Sequence, residues 1–487
     1  MPATFQNAAT MMDAREIMIQ EQIQNDRKLT ALYQKRAKIR DFDDETRIDN
    51  YGGYDETKAY SFAYKFTNRD VSRGTINMTA YTSYQITTLE GAFADCTALE
   101  TIDLSSLNLD FCTSFKRAFS GCINLRSIKF GHHCTINVTD MSSMFYNCKL
   151  LTNIDTGGYA KNQLDWNTDK VIDFSNMFCN CEMLTTLQLD SFNTDAALTV
   201  SSMFMNCKRL TSIRVGHWNL SNAMDFSFMF AGCQELKYVD VERWTMADGC
   251  PTRFMFYQCE SLQYIDCSKW TTQIVDFASM FENCRCLEFI DISNTKITTT
   301  FDTTNMCYDC ESLVEAKLPP GVMKNNTLMT RMFGNCKALS AVEIVTPLSE
   351  DSREFYHNCE TMKTITIGDN QLDNVKYMND MFNGCKNLTI LDLSRQNSKP
   401  LNITHAFHDC VNLEVLDISG LDLSEADATQ AFTNLNSLTI LVMKEISGKY
   451  CIRGNYVYLD GKRFAMFKNF KRKDGILRIA FSDDVSL

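Results

Sequence analysis

Short-range pairs of cysteine and histidine are the residues of this chain whose types and spacing could bind a metal. Zinc accepts such side chains, but a structural site needs four of them converging on one point. In each cysteine pair, one member also belongs to a periodic series that packing explains, so we predict no metal site and no cofactor. The pairs are Cys179–Cys181, Cys284–Cys286 and Cys307–Cys310, together with His405–His408 beside Cys410.

Catalytic motifs are missing from the sequence as well. It contains no nucleophile elbow, no Walker phosphate loop and no dinucleotide fingerprint. An acid, a base and a nucleophile cannot be assigned to one convergent set. We therefore predict that the protein is not an enzyme.

Composition and charge further narrow the class of protein to which the chain can belong. The 487 residues are 45% hydrophobic and 22% charged, as in a folded protein. The formal net charge of −12 argues against a nucleic-acid binder, because displacing counterions from phosphates takes a basic face. No apolar run approaches the roughly 18 residues of a membrane span, and the first residues lack the basic and apolar regions of a secretory signal. We expect a chain that is cytoplasmic at synthesis and has no membrane span.

The cysteines follow a period that organises most of the chain. Thirteen of the 21 cysteines recur at intervals that are mostly 25 or 26 residues, and Leu435 continues the phase. A fixed period in this range is typical of a solenoid. These periodic cysteines are Cys96, Cys122, Cys148, Cys181, Cys207, Cys233, Cys259, Cys284, Cys310, Cys336, Cys359, Cys385 and Cys410.

The residues around each periodic cysteine also repeat. The unit reads [M/A]-F-x-x-C-x-x-L-x-x-I-x-Φ, as in residues 203–215 and 381–393. The end of the unit alternates with period two and predicts a short strand. Its beginning has helix-like spacing and predicts about one helical or 3₁₀ turn. We therefore predict an α/β solenoid of about 14 turns with a parallel sheet, roughly 60 Å long, on one face.

This repeat resembles the BspA-like leucine-rich repeats, in the variant common in mycoplasma lipoproteins. Residues 137–145 and 166–178 are near matches to W-N-T-x-x-V-T-D-M-S-x-M-F-x-x-C-x-x-L, and Trp218, Trp244 and Trp270 take the tryptophan position. The resemblance covers roughly residues 88–445. It implies a noncatalytic surface or adhesion protein whose extended face binds other molecules. This chain differs from those lipoproteins in showing no signal peptide or lipobox.

Segments outside the array suggest four regions. Residues 1–48 have no glycine and an imperfect apolar stripe, which predicts a helical arm. This arm either caps the first turn or docks on a partner. Residues 49–88 predict an N-terminal β cap, 89–445 the solenoid, and 446–487 a C-terminal cap with hairpins at two Asp-Gly turns.

The C-terminal region also differs in charge. Residues 444–487 contain ten basic and five acidic residues, a local net charge of +5. The segment is either a solvated cap or a basic contact surface.

The periodic cysteines could in principle form disulfides. Adjacent turns place their Cα atoms about 4.8 Å apart, within the usual range for a bridge. Their Cβ vectors are parallel, however, and thirteen is an odd number. We predict a ladder of reduced thiols.

One part of the strand face stands out as a candidate binding site. The residues before and after the central isoleucine should point to the open, concave face. Like charges stacked in a sheet are unfavourable, and adjacent exposed aromatics are unusual, so we predict a patch for a basic or amphipathic partner. Its residues are Tyr238, Tyr264, Phe289, Asp240, Asp266 and Asp291. A second candidate is a lane, meaning a row of equivalent side chains on successive turns. It consists of Ile390, Val415 and Ile440, and the C-terminal cap could cover it.

These features predict a noncatalytic solenoid that works by protein–protein contact. It would bind other proteins through residues 1–48 and the concave face. The absence of export signals favours a structural component of a larger assembly, such as a viral particle or a cellular complex. The alternative is a surface recognition or adhesion protein, as the resemblance implies, located at the cell surface.

Overall fold

The computed structural model describes most of the chain beyond residue 58. The described residues are 59–68, 75–131, 135–157, 162–296, 302–319, 328–340, 342–344, 348–482, 485 and 487. They all belong to one compact unit, Lys58–Leu487. The predicted helical arm at residues 1–48 therefore lies outside the described residues.

Short strands dominate the described part of the chain, which contains no α-helix and one 3₁₀ segment, Thr79–Tyr81. The strands are β1 Ala59–Ser61, β2 Gln85–Thr88, β3 Thr101–Asp103, β4 Ser127–Lys129, β5 Asn153–Asp155, β6 Thr186–Gln188, β7 Ser212–Arg214, β8 Asn219–Leu220, β9 Thr245–Met246, β10 Cys250–Pro251, β11 Tyr264–Asp266, β12 Ile274–Asp276, β13 Phe289–Asp291, β14 Glu315–Lys317, β15 Glu343–Ile344, β16 Thr366–Ile367, β17 Ile390–Asp392, β18 Val415–Asp417, β19 Ile440–Lys444, β20 Cys451–Arg453, β21 Tyr456–Leu459, β22 Lys462–Met466, β23 Asn469–Lys473 and β24 Ile476–Ala480.

Successive turns pair in parallel and in register, as the period predicts. The strand in L-x-x-I-x-Φ pairs with the same strand of the next turn, for example Ile102 with Ile128 and Leu391 with Leu416. The central residue is buried and its two neighbours are more exposed, as the alternation of short strands requires. The parallel solenoid of about 14 turns is thus confirmed.

The predicted helical or 3₁₀ turn before each periodic cysteine is wrong, because successive N–H groups there bond alternately within the turn and to the next turn. The residue just before every periodic cysteine, and the residue four positions earlier, have positive φ, such as Ser143 (54°) and Asn147 (61°). Within one turn, Tyr146 N–H donates to Ser143 O at 3.1 Å. The N–H of the next residue, Asn147, donates instead to Cys179 O of the next turn at 2.8 Å. An α-helix would keep both bonds inside the segment, so the array is a β-solenoid and not α/β.

A sequence signal for this backbone stands immediately before the periodic cysteines. Twelve of the thirteen preceding residues are Asn, Asp or Gly, the residues that adopt positive φ most readily. Their side chains also stack along the array. Asn206 Nδ2 donates to Asn180 Oδ1 at 2.9 Å, and Asn335 Nδ2 donates to Asp309 Oδ1 at 2.7 Å.

The periodic cysteines join neighbouring turns through their thiols. All thirteen donate S–H to a backbone carbonyl of the preceding turn, at 2.9–3.3 Å. In twelve cases the acceptor belongs to the aromatic residue of the repeat, as in Cys233 Sγ to Phe204 O. This position of the repeat therefore requires a residue that is small and apolar and can still donate a hydrogen bond.

Aromatic side chains form a second ladder beside the thiols. The phenylalanines of successive repeats stack face to face from Phe66 to Phe281, with ring centroids 5.1–5.8 Å apart. Cys307 takes the phenylalanine position in the next turn, and stacking resumes from Phe333 through Tyr356. Stacked aromatic pairs contribute about 0.5–1.5 kcal/mol beyond the burial of their area.

A longer turn between Cys148 and Cys181 interrupts the strand pairing. Asn162, buried with a positive φ of 54°, inserts its side chain between β5 and β6. Its Oδ1 accepts the N–H of Ile154 at 2.8 Å, and its Nδ2 donates to the carbonyls of Thr152 and Thr186. One amide side chain thus supplies the hydrogen bonds that the displaced strands cannot make with each other.

The ends of the array are closed differently. Near the N-terminal end, β1 pairs with β2, and the array's hydrogen bonds already begin at Phe62, whose N–H donates to Thr88 O. At the C-terminal end both predicted hairpins are present, β21–β22 and β23–β24. Their Asp-Gly turns have positive φ at both residues, as two-residue hairpins require. β24 then pairs antiparallel with β19 and extends the sheet in the order β17-β18-β19-β24-β23.

Replacing a periodic cysteine should destabilise the array more than replacing an exposed one. Cys233→Ala removes a buried sulfur and the hydrogen bond to Phe204 O, a loss of about 2 kcal/mol. The exposed Cys286 is the control, and Cys286→Ala should change stability by less than about 0.5 kcal/mol. Urea unfolding followed by circular dichroism measures both. Equal effects of the two substitutions would contradict the role assigned to the thiol ladder.

Stability should also fall at alkaline pH because of the same thiols. Burial raises the pKa of Cys207 and of Cys410 to about 12, whereas an unfolded cysteine titrates near 8.5. Between these values only the unfolded state releases the protons, so the free energy of unfolding decreases as pH rises. Each thiol contributes a loss of about 1.4 kcal/mol at one unit above pH 8.5. Urea unfolding at pH 7.0 and 9.5 should show a smaller pH effect in Cys207→Ala/Cys410→Ala than in the parent chain.

Candidate protein-binding site

The thiols of one candidate pair, Cys307 and Cys310, lie close together, but no third ligand joins them among the described residues. Cys284 is buried and Cys286 is exposed, while the thiols of Cys181 and Cys310 donate to backbone carbonyls. Across the described ranges, no group of three or more His, Cys, Asp or Glu side chains is placed to hold a metal. The described cysteines, twenty in number, are all free thiols.

The histidine pair is engaged with amide side chains. The rings of His405 and His408 lie 5.3 Å apart at nearly a right angle. His405 Nε2 is 2.6 Å from Gln430 Oε1, and His408 Nδ1 is 3.3 Å from Asn383 Oδ1. These contacts account for the positions of both rings within the stacked turns.

The residues predicted for partner binding lie side by side on three neighbouring turns. Tyr264 pairs with Phe289 and Asp266 with Asp291 through β11 and β13, and Tyr238 pairs with Tyr264 through a single bridge. We call the six residues Tyr238, Tyr264, Phe289, Asp240, Asp266 and Asp291 the aromatic–aspartate patch. The strand register therefore brings the six residues together on neighbouring turns.

The aromatic rings of the patch are open to solvent. Tyr238 is 52% and Tyr264 43% exposed. The Tyr264 and Phe289 rings stack with centroids 6.5 Å apart and planes 10° from parallel. Burial, followed by the nearby Asp240 and Asp266 carboxylates, raises the pKa of the Tyr238 hydroxyl. The patch thus presents neutral phenols next to acidic groups.

The aspartates of the patch also have a structural role. Asp266 Oδ1 accepts the backbone N–H of Ser268 at 2.9 Å, and Asp291 accepts that of Ser293 at 3.0 Å. This closes an Asx turn at the end of the strand. The same turn occurs at Asp392, beside an aliphatic neighbour, so the patch is distinguished by its aromatic rings.

A charged neighbour borders the patch at the end of its row of aspartates. Lys317, in register with Asp291 on β14, places its Nζ 3.8 Å from Asp291 Oδ2 and 5.1 Å from the centroid of the Phe289 ring. Within the patch, burial acts to raise the pKa of Asp266. The hydroxyl and backbone N–H of Ser268, together with the Tyr264 hydroxyl and the nearby Lys269 ammonium, outweigh this effect and hold the pKa below its usual range. Asp266 is therefore ionised at neutral pH.

The second candidate lane is not covered by the C-terminal cap. Ile390 remains 49% exposed, and Val415 and Ile440 are half-buried. The cap extends the sheet next to Ile440, where β24 pairs with β19, and does not lie over the lane.

The sequence analysis missed a second exposed apolar lane on another face. Ile172, Leu198 and Met224 are 45%, 51% and 65% exposed, and their backbones are linked from turn to turn by N–H to C=O bonds. They occupy one position of the V-x-D segment, where Thr139 stands in the preceding turn. Aligning that segment across the repeats would have revealed the lane.

Comparison with known families identifies the repeats over most of the chain. The sequence profile described as "Mycoplasma protein of unknown function, DUF285" matches residues 60–165, 155–270 and 225–345. The profile described as "BspA type Leucine rich repeat region (6 copies)" matches residues 350–455. No curated protein matches the chain.

Solved structures with similar repeats are distant in sequence. A leucine-rich repeat protein from Bacteroides ovatus is 16% identical, with 73% of this chain and 82% of that chain covered and a TM-score of 0.43. A leucine rich cell surface protein from Faecalibacterium prausnitzii is 13% identical, with coverages of 69% and 76% and a TM-score of 0.27. The family assignment therefore rests on the sequence profiles.

Alkylation of the folded protein should separate Cys286 from the other described cysteines. The thiolate is the reactive form, and burial raises the pKa of thiols such as Cys112 to about 12, which lowers their thiolate fraction at pH 8. Iodoacetamide at pH 8 should label Cys286 and spare the periodic cysteines, as measured by peptide mass spectrometry. Labelling in urea is the control and should reach every cysteine. Comparable native labelling of Cys207 and Cys286 would contradict this expectation.

Proposed function

Because the chain belongs to the family described as Mycoplasma protein of unknown function, DUF285, and continues into BspA type leucine-rich repeats, we propose that it is a noncatalytic binding protein that recognises another protein through one face of its parallel strands. The observation that carries this proposal is the aromatic–aspartate patch. Two tyrosines about half exposed lie beside three carboxylates on adjacent turns. Tyrosine is among the residues enriched at binding hot spots.

The charge of the patch favours a basic protein as partner. Three carboxylates on neighbouring turns repel phosphate groups, which argues against nucleic acid at this face. They attract lysine and arginine, whose cationic groups also bind over aromatic rings. A basic or amphipathic segment satisfies both halves of the patch.

Two settings are consistent with this proposal. In the first, the chain is a structural component of a larger assembly, such as a viral particle or a cellular complex. In the second, it is a recognition or adhesion protein at a surface, which the resemblance to BspA-like repeats favours. The contact predicted for residues 1–48 falls outside the described residues, so the patch alone supports the proposal.

Within the described residues, no helix has the length and apolar character needed to cross a membrane.

Truncating the three rings of the patch should abolish partner contact without unfolding the array. We expect crosslinks from nearby lysines Lys237, Lys269 and Lys317 to other proteins to fall about tenfold or more in Tyr238→Ala/Tyr264→Ala/Phe289→Ala, because aromatic anchors dominate such interfaces. Crosslinking mass spectrometry on the native source measures this loss, and circular dichroism verifies the fold.

A matched control lies on the same lane of the sheet. Thr101→Ala/Ser127→Ala/Asn153→Ala changes the equivalent first residues of β3, β4 and β5 and should leave the crosslinks unchanged. The proposal fails if the aromatic triple variant keeps the crosslinks of the parent chain while remaining folded.

A further inference from the structure

The aromatic–aspartate patch contains one cation position that is already occupied. Lys317 Nζ lies 5.1 Å from the centroid of Phe289 and 3.8 Å from Asp291 Oδ2. An ammonium group in this place interacts with the ring face and with the carboxylate together. The chain itself thus shows which group a paired aromatic ring and aspartate bind here.

The two preceding turns repeat this arrangement with exposed rings. Tyr264 stands beside Asp266 and Tyr238 beside Asp240, in the same strand positions as Phe289 and Asp291. Nearby cations pair with other acids, since Lys269 Nζ contacts Glu242 Oε1 and Arg214 lies 3.8 Å from Asp190. The Tyr264 hydroxyl donates to Asp266 Oδ2 at 3.3 Å, and Lys269 also helps to lower the pKa of Asp266. Among the described residues no cation forms an ion pair with Asp240 or Asp266, so the two pairs offer cation positions about 4.8 Å apart, the spacing of neighbouring strands.

A segment with matching chemistry occurs at the end of the chain. Strand β23 has the sequence Asn-Phe-Lys-Arg-Lys, and its five side chains are all exposed. Arg472 is paired with Glu445 at 2.7 Å. Lys471 and Lys473 alternate with Arg472 and point to the other side of the strand, and Lys471 Nζ also donates to the backbone carbonyl of Leu487. The Cα atoms of Lys471 and Lys473 are separated by about 6.7 Å. Because lysine side chains are long and flexible, their ammonium groups can approach each other to match the spacing of Asp240 and Asp266.

Strand β23 is also the last strand of its sheet in the described part of the chain. The Phe470 N–H donates to the Asn469 side chain at 2.8 Å and not to a further strand. The strand is thus accessible along its outer edge as well as through its side chains.

The net charge of the whole chain is divided in the same way, between an acidic main part and a basic C-terminal part. Residues 444–487 carry a net charge of +5, so the remaining residues carry −17 of the total of −12. Strand β23 lies nine strand spacings beyond β11 along the array, a separation of about 43 Å. It cannot reach the patch of its own chain.

From these observations we propose that the aromatic–aspartate patch binds strand β23 of a second copy of this chain. Lys471 and Lys473 of that copy occupy the positions at Tyr264–Asp266 and Tyr238–Asp240, as Lys317 does at Phe289–Asp291. The inference rests on the proposed function, whose partner it names. The two surfaces differ, so the contact is head-to-tail and can continue from copy to copy.

Complementary variants test this contact on the full chain. Asp240→Asn/Asp266→Asn removes the acidic charges and keeps the side-chain oxygens for the Asx turn. Lys471→Gln/Lys473→Gln removes the basic charges. In sedimentation velocity the parent chain should associate with rising concentration, less so in 0.5 M NaCl, and each variant alone should associate about tenfold or more weakly. A mixture of the two variants should form a 1:1 dimer, because each retains the surface that the other lacks.

Two control variants remove equal charge elsewhere. Asp392→Asn/Asp417→Asn alters the same lane beside Ile390 and Val415, and Lys462→Gln/Arg463→Gln alters the hairpin β21–β22, which belongs to a different sheet from β23. Both should associate like the parent chain. A monomeric parent chain, or a patch variant that associates normally, overturns the inference.

The proposed function fails separately from this inference. A monomeric parent chain whose crosslinks to a different protein disappear in the aromatic triple variant would retain the proposed function and remove only the second copy as partner. Persistence of all crosslinks in that variant would remove both.

Discussion

The structure depends on backbone N–H groups that point along the array and must find a carbonyl in the next turn. Residues with positive φ, in pairs four positions apart, turn alternate N–H groups outward, as at Ser143 and Asn147. A buried N–H without an acceptor costs free energy. Every turn must therefore place its carbonyls at the equivalent position, directly opposite the N–H groups of the neighbouring turn. This requirement holds the period near 26 residues. Where seven additional residues intervene before Cys181, the Asn162 amide supplies the missing bonds.

The same constraint brings equivalent side chains into contact, so each position of the repeat becomes a lane. One lane alternates charge, with Lys208 against Glu182 at 2.8 Å and Lys337 against Glu311 at 2.9 Å. The patch instead stacks three aspartates. The Asx turn does not require their charge, since Asn402 accepts the N–H of Thr404 in the same way. Like charges on neighbouring strands are unfavourable, and the proposed cationic partner would offset this repulsion at the exposed rings.

The sequence was sufficient to predict the period, the strand faces and both hairpins, because each depends on local rules. Cysteine spacing counted the turns, alternation placed Tyr264 and Asp266 on one face, and the Asp-Gly turns marked the cap. The segment around Met144-Phe145 was misread as helical because its apolar spacing fits a helix. The decisive signal was the Asn, Asp or Gly before each cysteine, which favours positive φ. The cation position at Phe289 depends on Lys317, one turn away, and could be recognised only from the distances.

The end of the array meets a problem common to all open sheets, because a free edge can pair with any other edge. Strand β24 covers the last parallel strand, β19, but it leaves β23 as the new edge. Lysines on an edge strand oppose pairing between identical edges, since like charges would lie opposite each other. The same lysines are attracted to a face that carries carboxylates. The charges of β23 therefore disfavour edge-to-edge aggregation while they allow a strand-to-face contact with an acidic lane.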